Sequence, residues 1–145
     1  MKKITIYTDG ASRGNPGRSS IGVVFCNEKE QIIKEYGEFL GDKLTNNEAE
    51  YRAVISSLKK FKALFGKEIA KTSEIEIRSD SELMVRQING EYKLSNENIQ
   101  KLFIEFWNLR TEFKSIKLKQ IPREKNKEAD RLANEALDSR PQTLI

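Results

Sequence analysis

The stretch that decides the fold is 3-KITIYTDGASRGNPGRSSIGVVFC-26. Apolar and polar side chains alternate over residues 3–8, which is typical of a half-buried strand. Residues 10–17 contain glycine, asparagine and proline, which favour a turn, and residues 20–26 have the composition of a second strand. Asp9 is predicted to close the first strand, directly after its alternating apolar face. A hairpin turn at Asp9 and Gly10 is disfavoured, because the next strand begins about ten residues later, too far for a two-residue hairpin.

The remaining pattern extends this start into an α/β fold. In chain order it predicts a strand over 31–40, a helix from Thr45 to about Phe65, a strand over Glu74–Ser79, helices over Ser81–Asn89 and Asn96–Phe113, a strand around Ile116–Gln120 and a helix from Ala129 to Leu137. Short links predict three antiparallel strands, and the later crossovers add two parallel ones. We expect a mixed five-stranded sheet flanked by helices, with Phe103, Phe106 and Trp107 packed in the core at helical spacing.

Length and composition restrict the organisation and the chemistry. A chain of 145 residues fits one domain, predicted over 1–138 with a flexible tail over 139–145. The absence of histidine excludes Ser-His-Asp triads and histidine zinc sites, and a single cysteine, Cys26, excludes a disulfide framework. No run approaches the roughly 18 apolar residues of a membrane span, and the polar start argues against a secretory leader. A cytoplasmic monomer with no obligate protein partner is expected.

Two acids are predicted at the ends of strands. Asp9 and Asp80 follow strands that should be parallel neighbours, so both would project at the edge where ligands collect in open sheets. Each also has a local explanation. Asp9 with Gly10 is a common turn pair, and Asp80 is a suitable N-cap for the helix that follows it.

Helix geometry selects two more acids. Glu50 falls on one apolar line with Val54, Leu58 and Phe61, whereas the other acids of that helix face polar positions. In the last helix, Asp130 is the inward candidate by the same argument. Four carboxylates at one point would repel each other unless cations neutralise them. Oxygen-only ligands select Mg²⁺ or Mn²⁺, and two such ions are a known solution for phosphodiester cleavage.

Four motifs in order resemble the type-one ribonuclease H family, over about Lys3 to Leu137. They are Tyr7-Thr8-Asp9-Gly10-Ala11-Ser12 with Gly14-Asn15-Pro16-Gly17, Thr45-Asn46-Asn47 with Glu50, Ser79-Asp80-Ser81, and Glu128-Ala129-Asp130-Arg131-Leu132-Ala133-Asn134. The resemblance implies a ribonuclease H-like fold and endonucleolytic hydrolysis of the RNA strand of RNA–DNA hybrids, giving 5′-phosphate and 3′-hydroxyl ends. It also implies a two-metal catalytic site held by Asp9, Glu50, Asp80 and Asp130.

The resemblance further implies which residues contact the hybrid. Those expected to line the RNA minor groove, where the 2′-hydroxyl distinguishes RNA from DNA, are Gly10, Ala11, Ser12, Asn15, Asn47 and Gln87. Thr45 and Asn96 are candidates for binding a phosphate of the DNA strand. Turn and cap chemistry is the alternative for Asn15 and Thr45.

The sequence departs from the family's common form near the last helix and before Asn96. Many members carry a histidine in the loop where this chain has Arg123, which is expected to bind the scissile phosphate or leaving group, unless it is a solvated loop charge. The segment Gly90–Ser95 is short where some members insert a basic substrate handle, so weaker or more salt-sensitive hybrid binding is expected.

Two other functions compete with this prediction. Integrases and transposases use similar carboxylates for DNA strand transfer, but they usually bring separate end-binding domains. A non-enzymatic hybrid-binding or scaffold domain would be expected to have lost at least one acid, and all four are present.

Overall fold

The computed structural model describes residues 3–139 and consists of one five-stranded sheet with helices packed on it. The elements are β1 (Lys3–Gly14), β2 (Gly17–Cys26), β3 (Ile32–Leu44), α1 (Asn46–Phe65), α2 (Lys67–Thr72), β4 (Glu74–Ser79), α3 (Glu82–Ile88), α4 (Glu97–Arg110), β5 (Ser115–Gln120) and α5 (Lys127–Asp138). The strand order is β3-β2-β1-β4-β5, antiparallel from β3 to β1 and parallel from β1 to β5. The predicted fold class is confirmed.

The start of α1 follows from local sequence. Thr45 accepts a hydrogen bond from the backbone N–H of Glu48, and the Glu48 carboxylate accepts one from the backbone N–H of Thr45. This reciprocal capping box satisfies two N–H groups that the helix cannot pair internally. Within the described residues, no helix has both the length and the apolar character needed to cross a membrane.

The hairpin between β1 and β2 differs from the sequence prediction. β1 continues past Asp9 to Gly14, and β2 begins at Gly17, so only Asn15 and Pro16 separate the two strands. The prediction that Asp9 closes the first strand was therefore wrong. Asp9 and Gly10 do not form a hairpin turn, as the sequence indicated, because the turn lies at Asn15 and Pro16. The turn-forming residues of this segment led to the prediction of a loop. The pairing between the two strands, which continues to Gly14 and Gly17, does not appear in local composition.

Two further differences concern helices. The sequence pattern missed α2, a helix of 6 residues that is too short to show a repeating apolar face. The prediction of a core position was right for Phe106, which is 1% exposed, and wrong for Trp107, which is 46% exposed. Trp107 stacks on the partly buried Phe103, and Arg110 covers its ring at 3.9 Å, so contacts along the helix surface replace burial.

Two glycines let α5 lie close against the sheet. A Cβ at Gly22 would lie 1.9 Å from the carbonyl oxygen of Ala129, and a Cβ at Gly37 would lie 2.4 Å from that of Leu132. Gly22 and Gly37 are cross-strand partners on β2 and β3, and Asp9 of β1 is the other neighbour of Gly22. The helix that carries Asp130 is thus held close to the strand that carries Asp9.

The predicted flexible tail over 139–145 falls mostly outside the described residues. Only Ser139 is described, and its backbone N–H donates to the carbonyl oxygen of Glu135 at the end of α5.

Candidate active site

Asp9 and Asp80 lie side by side where the parallel pairing of β1 and β4 ends. That pairing runs to Tyr7 and Arg78, two residues before each acid. Asp9 is only 5% exposed although β1 continues beyond it, and Asp80 directly follows β4. Asp80 does not cap α3, because the N-cap is Ser81, whose hydroxyl accepts from the backbone N–H of Met84.

Glu50 reaches the two aspartates from α1. It lies on the face of α1 whose neighbours Val54, Leu58 and Phe61 are fully buried, as the helix pattern predicted. Its Oε1 accepts a hydrogen bond of 2.8 Å from the backbone N–H of Gly10. Glu50, Asp9 and Asp80 each offer a carboxylate oxygen, and these oxygens all lie within 4.8 Å of one another.

Asp130 completes the set from α5. It faces the same cleft, of about 460 Å³, whose walls include all four predicted acids. The cleft is lined by Asp9, Gly10, Ala11, Ser12, Asn46, Glu50, Asp80, Arg123, Asp130 and Asn134. Asp130 is not one of the three residues whose oxygens form the tight cluster, but its side chain interacts directly with that of Asp9.

The carboxyl groups of the cluster resist ionisation. Burial is the main cause that raises the pKa of Asp9, and the charges of Glu50, Asp80 and Asp130 raise it further. Burial likewise raises the pKa of Glu50 and of Asp80. A buried group of acids that cannot all carry charge on their own suits divalent cations with oxygen ligands. A donor set of oxygens alone suits a hard divalent cation such as Mg²⁺ or Mn²⁺ better than zinc.

Arg123 is the cation of the described site that faces these acids. It begins the 3₁₀ turn Arg123–Lys125 ahead of α5 and lines the cleft. Its charge lowers the pKa of both Glu50 and Asp80, against the effect of burial. An exposed guanidinium beside an acidic cluster can hold a phosphate oxygen without itself releasing a proton.

The predicted RNA-contacting residues occupy the rim next to α1. Gly10, Ala11 and Ser12 line the cleft, and the Asn15 side chain accepts a hydrogen bond of 3.0 Å from the backbone N–H of Asn46. At the next residue of α1, the Asn47 amide donates to Oε1 of Gln87 over 3.1 Å. The structure thus brings these six predicted residues together around the first turn of α1.

The predicted DNA-strand residues are both helix caps. Thr45 caps α1 as described above, and Asn96 caps α4 by accepting from the backbone N–H of Ile99 over 3.1 Å. The capping alternative raised for Thr45 is therefore correct. Whether either side chain also holds a phosphate stays a prediction.

Comparisons with known proteins agree with this geometry. A family model described as Reverse transcriptase-like matches residues 7–136. Ribonuclease HI from Halobacterium salinarum is 38% identical over 136 residues, which are 94% of this chain and 65% of that protein. The chain belongs to the type-one ribonuclease H family.

Solved ribonuclease H structures superpose closely on the described fold. The crystal structure of RNase H1 from Halobacterium salinarum has a TM-score of 0.87 at 35% identity, covering 95% of this chain and 99% of that one. LC11-RNase H1, crystallised in complex with an RNA/DNA hybrid, has a TM-score of 0.88 at 42% identity, covering 94% and 97%.

Some ribonuclease H relatives are much longer than this chain. The Mycobacterium tuberculosis bifunctional protein Rv2228c is 36% identical over 142 residues, and the chain spans only 37% of its length.

Three asparagines of this ribonuclease H family member were given no role by sequence reasoning. Asn46 and Asn134 line the cleft, and the Asn134 amide donates to the backbone and side-chain oxygens of Asp130 at 2.9 and 3.3 Å. The four-residue spacing of Asn134 from Asp130 on one helix was the available signal. Asn126 is buried and donates to the carbonyl oxygen of Thr8 over 2.9 Å, which only the tertiary structure reveals.

Proposed function

We propose that the protein is a divalent-metal-dependent endoribonuclease that hydrolyses the RNA strand of RNA–DNA hybrids and leaves 5′-phosphate and 3′-hydroxyl ends. The observation that carries the proposal is the cluster of Asp9, Glu50 and Asp80, whose carboxylate oxygens lie within 4.8 Å of one another in a cleft that Asp130 also lines. The relative named Ribonuclease HI and the hybrid complex of LC11-RNase H1 support the choice of substrate.

The proposed cofactor is a pair of Mg²⁺ ions, with Mn²⁺ as a substitute. Asp9, Glu50, Asp80 and Asp130 would hold them, since their oxygens are the ligands that these ions prefer. When bound, the ions supply an activated water and stabilise the leaving oxygen. Bound cations would also oppose the burial and the mutual repulsion that raise the pKa of these acids.

The residues of the chain position the acids and the substrate. The Gly10 N–H fixes the orientation of Glu50, and the Asn134 amide does the same for Asp130. Arg123, which lines the cleft, is proposed to bind the scissile phosphate or the leaving group, because a guanidinium matches phosphate geometry. It replaces the loop histidine of many family members only in binding, since it does not exchange a proton at ordinary pH.

The residues at the rim of the cleft are proposed to contact the two strands of the hybrid. Those expected to contact the RNA strand are Gly10, Ala11, Ser12, Asn15, Asn47 and Gln87, and those expected to hold a DNA phosphate are Thr45 and Asn96. Only the segment Asn89–Asn96 joins α3 to α4, so binding without a basic handle is expected to be salt-sensitive. A cytoplasmic monomer remains the prediction from the sequence.

The test is a cleavage assay on three matched duplexes. Labelled RNA–DNA hybrid, double-stranded RNA and double-stranded DNA are incubated with Mg²⁺, with Mn²⁺ and with EDTA. We expect internal cuts in the RNA of the hybrid with either metal and none in EDTA, with 5′-phosphate ends on the products. An intact hybrid in both metals would refute the proposal, and cutting of double-stranded DNA instead would favour the strand-transfer class.

A further inference from the structure

We infer that Tyr51 is a positioning residue for recognition of the RNA strand, acting through the side chains of Gln87 and Asn47. The inference rests on the proposed function and assigns Tyr51 a part in its specificity for the RNA strand. Tyr51 follows Glu50 on α1 and is fully buried, so it does not touch the substrate itself.

The contact that carries the inference is a hydrogen bond between two helices. The Tyr51 hydroxyl donates to Oε1 of Gln87 over 3.0 Å, and Gln87 lies in the last turn of α3. The Asn47 amide donates to the same oxygen over 3.1 Å. Asn47 and Tyr51 stand four residues apart on one face of α1.

These bonds fix which polar atoms remain for a ligand. Oε1 of Gln87 already accepts two hydrogen bonds, so its Nε2 is the group left to donate, and that atom has only a long contact of 3.4 Å to the carbonyl oxygen of Lys93. Oδ1 of Asn47 is buried and has no hydrogen-bond partner among residues 3–139. The pair therefore offers one donor and one acceptor next to the cleft-lining residues Asn46 and Glu50.

A 2′-hydroxyl is the matching group, because it both donates and accepts a hydrogen bond and distinguishes RNA from DNA. A buried acceptor without a partner is costly, so a ligand that donates to Oδ1 of Asn47 recovers that cost. Without the Tyr51 hydroxyl, the Gln87 amide loses one of the two donors that hold its orientation and can exchange the places of its oxygen and nitrogen. Tyr51 thus determines which atom of the Gln87 amide is the donor that remains for the ligand.

The variant Tyr51→Phe removes the hydroxyl and keeps the ring. We expect its KM for hybrid to rise about five- to tenfold, the loss of one or two buried hydrogen bonds, with a smaller change in kcat. The matched control is Tyr36→Phe, which removes another hydroxyl, bonded to Ser56 over 2.7 Å, on the side of α1 next to β3. The control is expected to keep wild-type KM and kcat, and thermal unfolding of both variants measures any general loss of stability.

The deciding experiment replaces ribonucleotides of the hybrid, one position at a time, by 2′-deoxynucleotides around the cut site. In the wild type, replacement at the position read by Asn47 and Gln87 slows cleavage. In Tyr51→Phe the same replacement is expected to have little further effect, whereas a merely structural role would lower the rate on every substrate alike. Equal sensitivity of the two proteins at every position would overturn the inference.

A second variant keeps the inference testable should Tyr51→Phe fold poorly. In Gln87→Glu, one oxygen still accepts from Tyr51 and Asn47, but the donor is replaced by an acceptor, so the same loss of 2′-hydroxyl sensitivity is expected. Retained sensitivity in this variant would contradict the assigned polarity. A wild-type protein that leaves the hybrid intact with Mg²⁺ and Mn²⁺ would refute the proposed function itself, and this inference with it.

Discussion

The backbone N–H of Gly10 donates a hydrogen bond of 2.8 Å to Oε1 of Glu50, which ties β1 to α1. The two elements approach so closely that a Cβ at Gly10 would lie 2.5 Å from the backbone carbon of Ala49 and 2.5 Å from the backbone nitrogen of Glu50. Because both atoms belong to the backbone, no rotamer change can relieve the contact. The bond and the missing side chain together set the position of Glu50.

The variant Gly10→Ala is therefore expected to displace α1 and with it the Glu50 carboxylate. We expect the free energy of unfolding to fall by about 1–3 kcal/mol, the usual cost of overpacking, and hybrid cleavage to fall more than tenfold. Denaturant unfolding and kcat measure the two effects. Gly41→Ala is the control, since its added Cβ meets nothing within 4 Å and Gly41 lies outside the cleft. It should cost stability through its φ of +148° but leave kcat unchanged.

Neutralising Asp9 separates metal binding from folding. Asp9→Asn keeps the size of the side chain but removes a charge that Glu50 and Asp80 repel. We expect cleavage to fall at least about a hundredfold, because even partners of metal ligands cost 10–100-fold when lost. In EDTA near pH 7 the variant should be at least as stable as the wild type. Titration calorimetry with Mg²⁺ would show weakened binding, and unchanged turnover would place the metal site elsewhere.

The stability of the metal-free protein is expected to depend on pH in an unusual direction. The pKa values of Asp9, Glu50 and Asp80 are raised in the folded state, mainly by burial. A raised carboxyl pKa stabilises the fold below the ordinary value of about 4, and this contribution is lost as pH rises through the folded pKa. In EDTA the free energy of unfolding should therefore decrease from mildly acidic to alkaline pH.

Two controls identify the carboxylates as the cause of this trend. Saturating Mg²⁺ should flatten it, because bound cations stabilise the ionised carboxylates. The variant Asp9→Asn should reduce its slope, since one of the raised groups is gone. Denaturant unfolding at several pH values, with and without Mg²⁺, tests both, and stability that rises with pH in EDTA would contradict the assignment.

Arg123 is expected to act on the substrate phosphate. In Arg123→Ala, cleavage should fall about tenfold, the usual value of one charge-assisted hydrogen bond, and Arg123→Lys should recover part of the loss. Lys125→Ala is the matched control, because Lys125 belongs to the same 3₁₀ turn but does not line the acidic cleft. Values of kcat and KM measured at two salt concentrations would test this role. If Arg123→Ala has the same kcat and KM as Lys125→Ala, Arg123 is only a solvated charge.

Asn134 is expected to orient Asp130 through its two contacts with that residue. Asn134→Ala should lower kcat by about 10–100-fold, the range for a group that supports a metal ligand, and raise the Mg²⁺ concentration needed for half-maximal rate. Asn108→Ala, at an exposed position of α4, should change neither. Equal Mg²⁺ dependence of Asn134→Ala and the wild type would show that Asp130 needs no such support.

The elements that sequence analysis predicted well have their cause in short stretches of chain. The boundary of α1 follows from the capping box of Thr45 and Glu48, and β4 was predicted to the residue over Glu74–Ser79. The exposed Trp107 and the long hairpin were predicted wrongly, because helical spacing does not say how wide the buried face is, and turn-forming residues also occur in paired strands.

The sequence by itself determined the order of the strands and of every helix except α2, the inward faces of Glu50 and Asp130, and a set of carboxylates suited to divalent cations, because periodicity and composition are local properties. Only the tertiary structure decided the other contacts. The missing side chains at Gly10 and Gly22 let α1 and α5 pack closely on the sheet, and hydrogen bonds join Asn126 to Thr8 and Tyr51 to Gln87. Each of those contacts joins segments far apart in the chain. Their geometry depends on how the helices pack on the sheet, which no local pattern specifies.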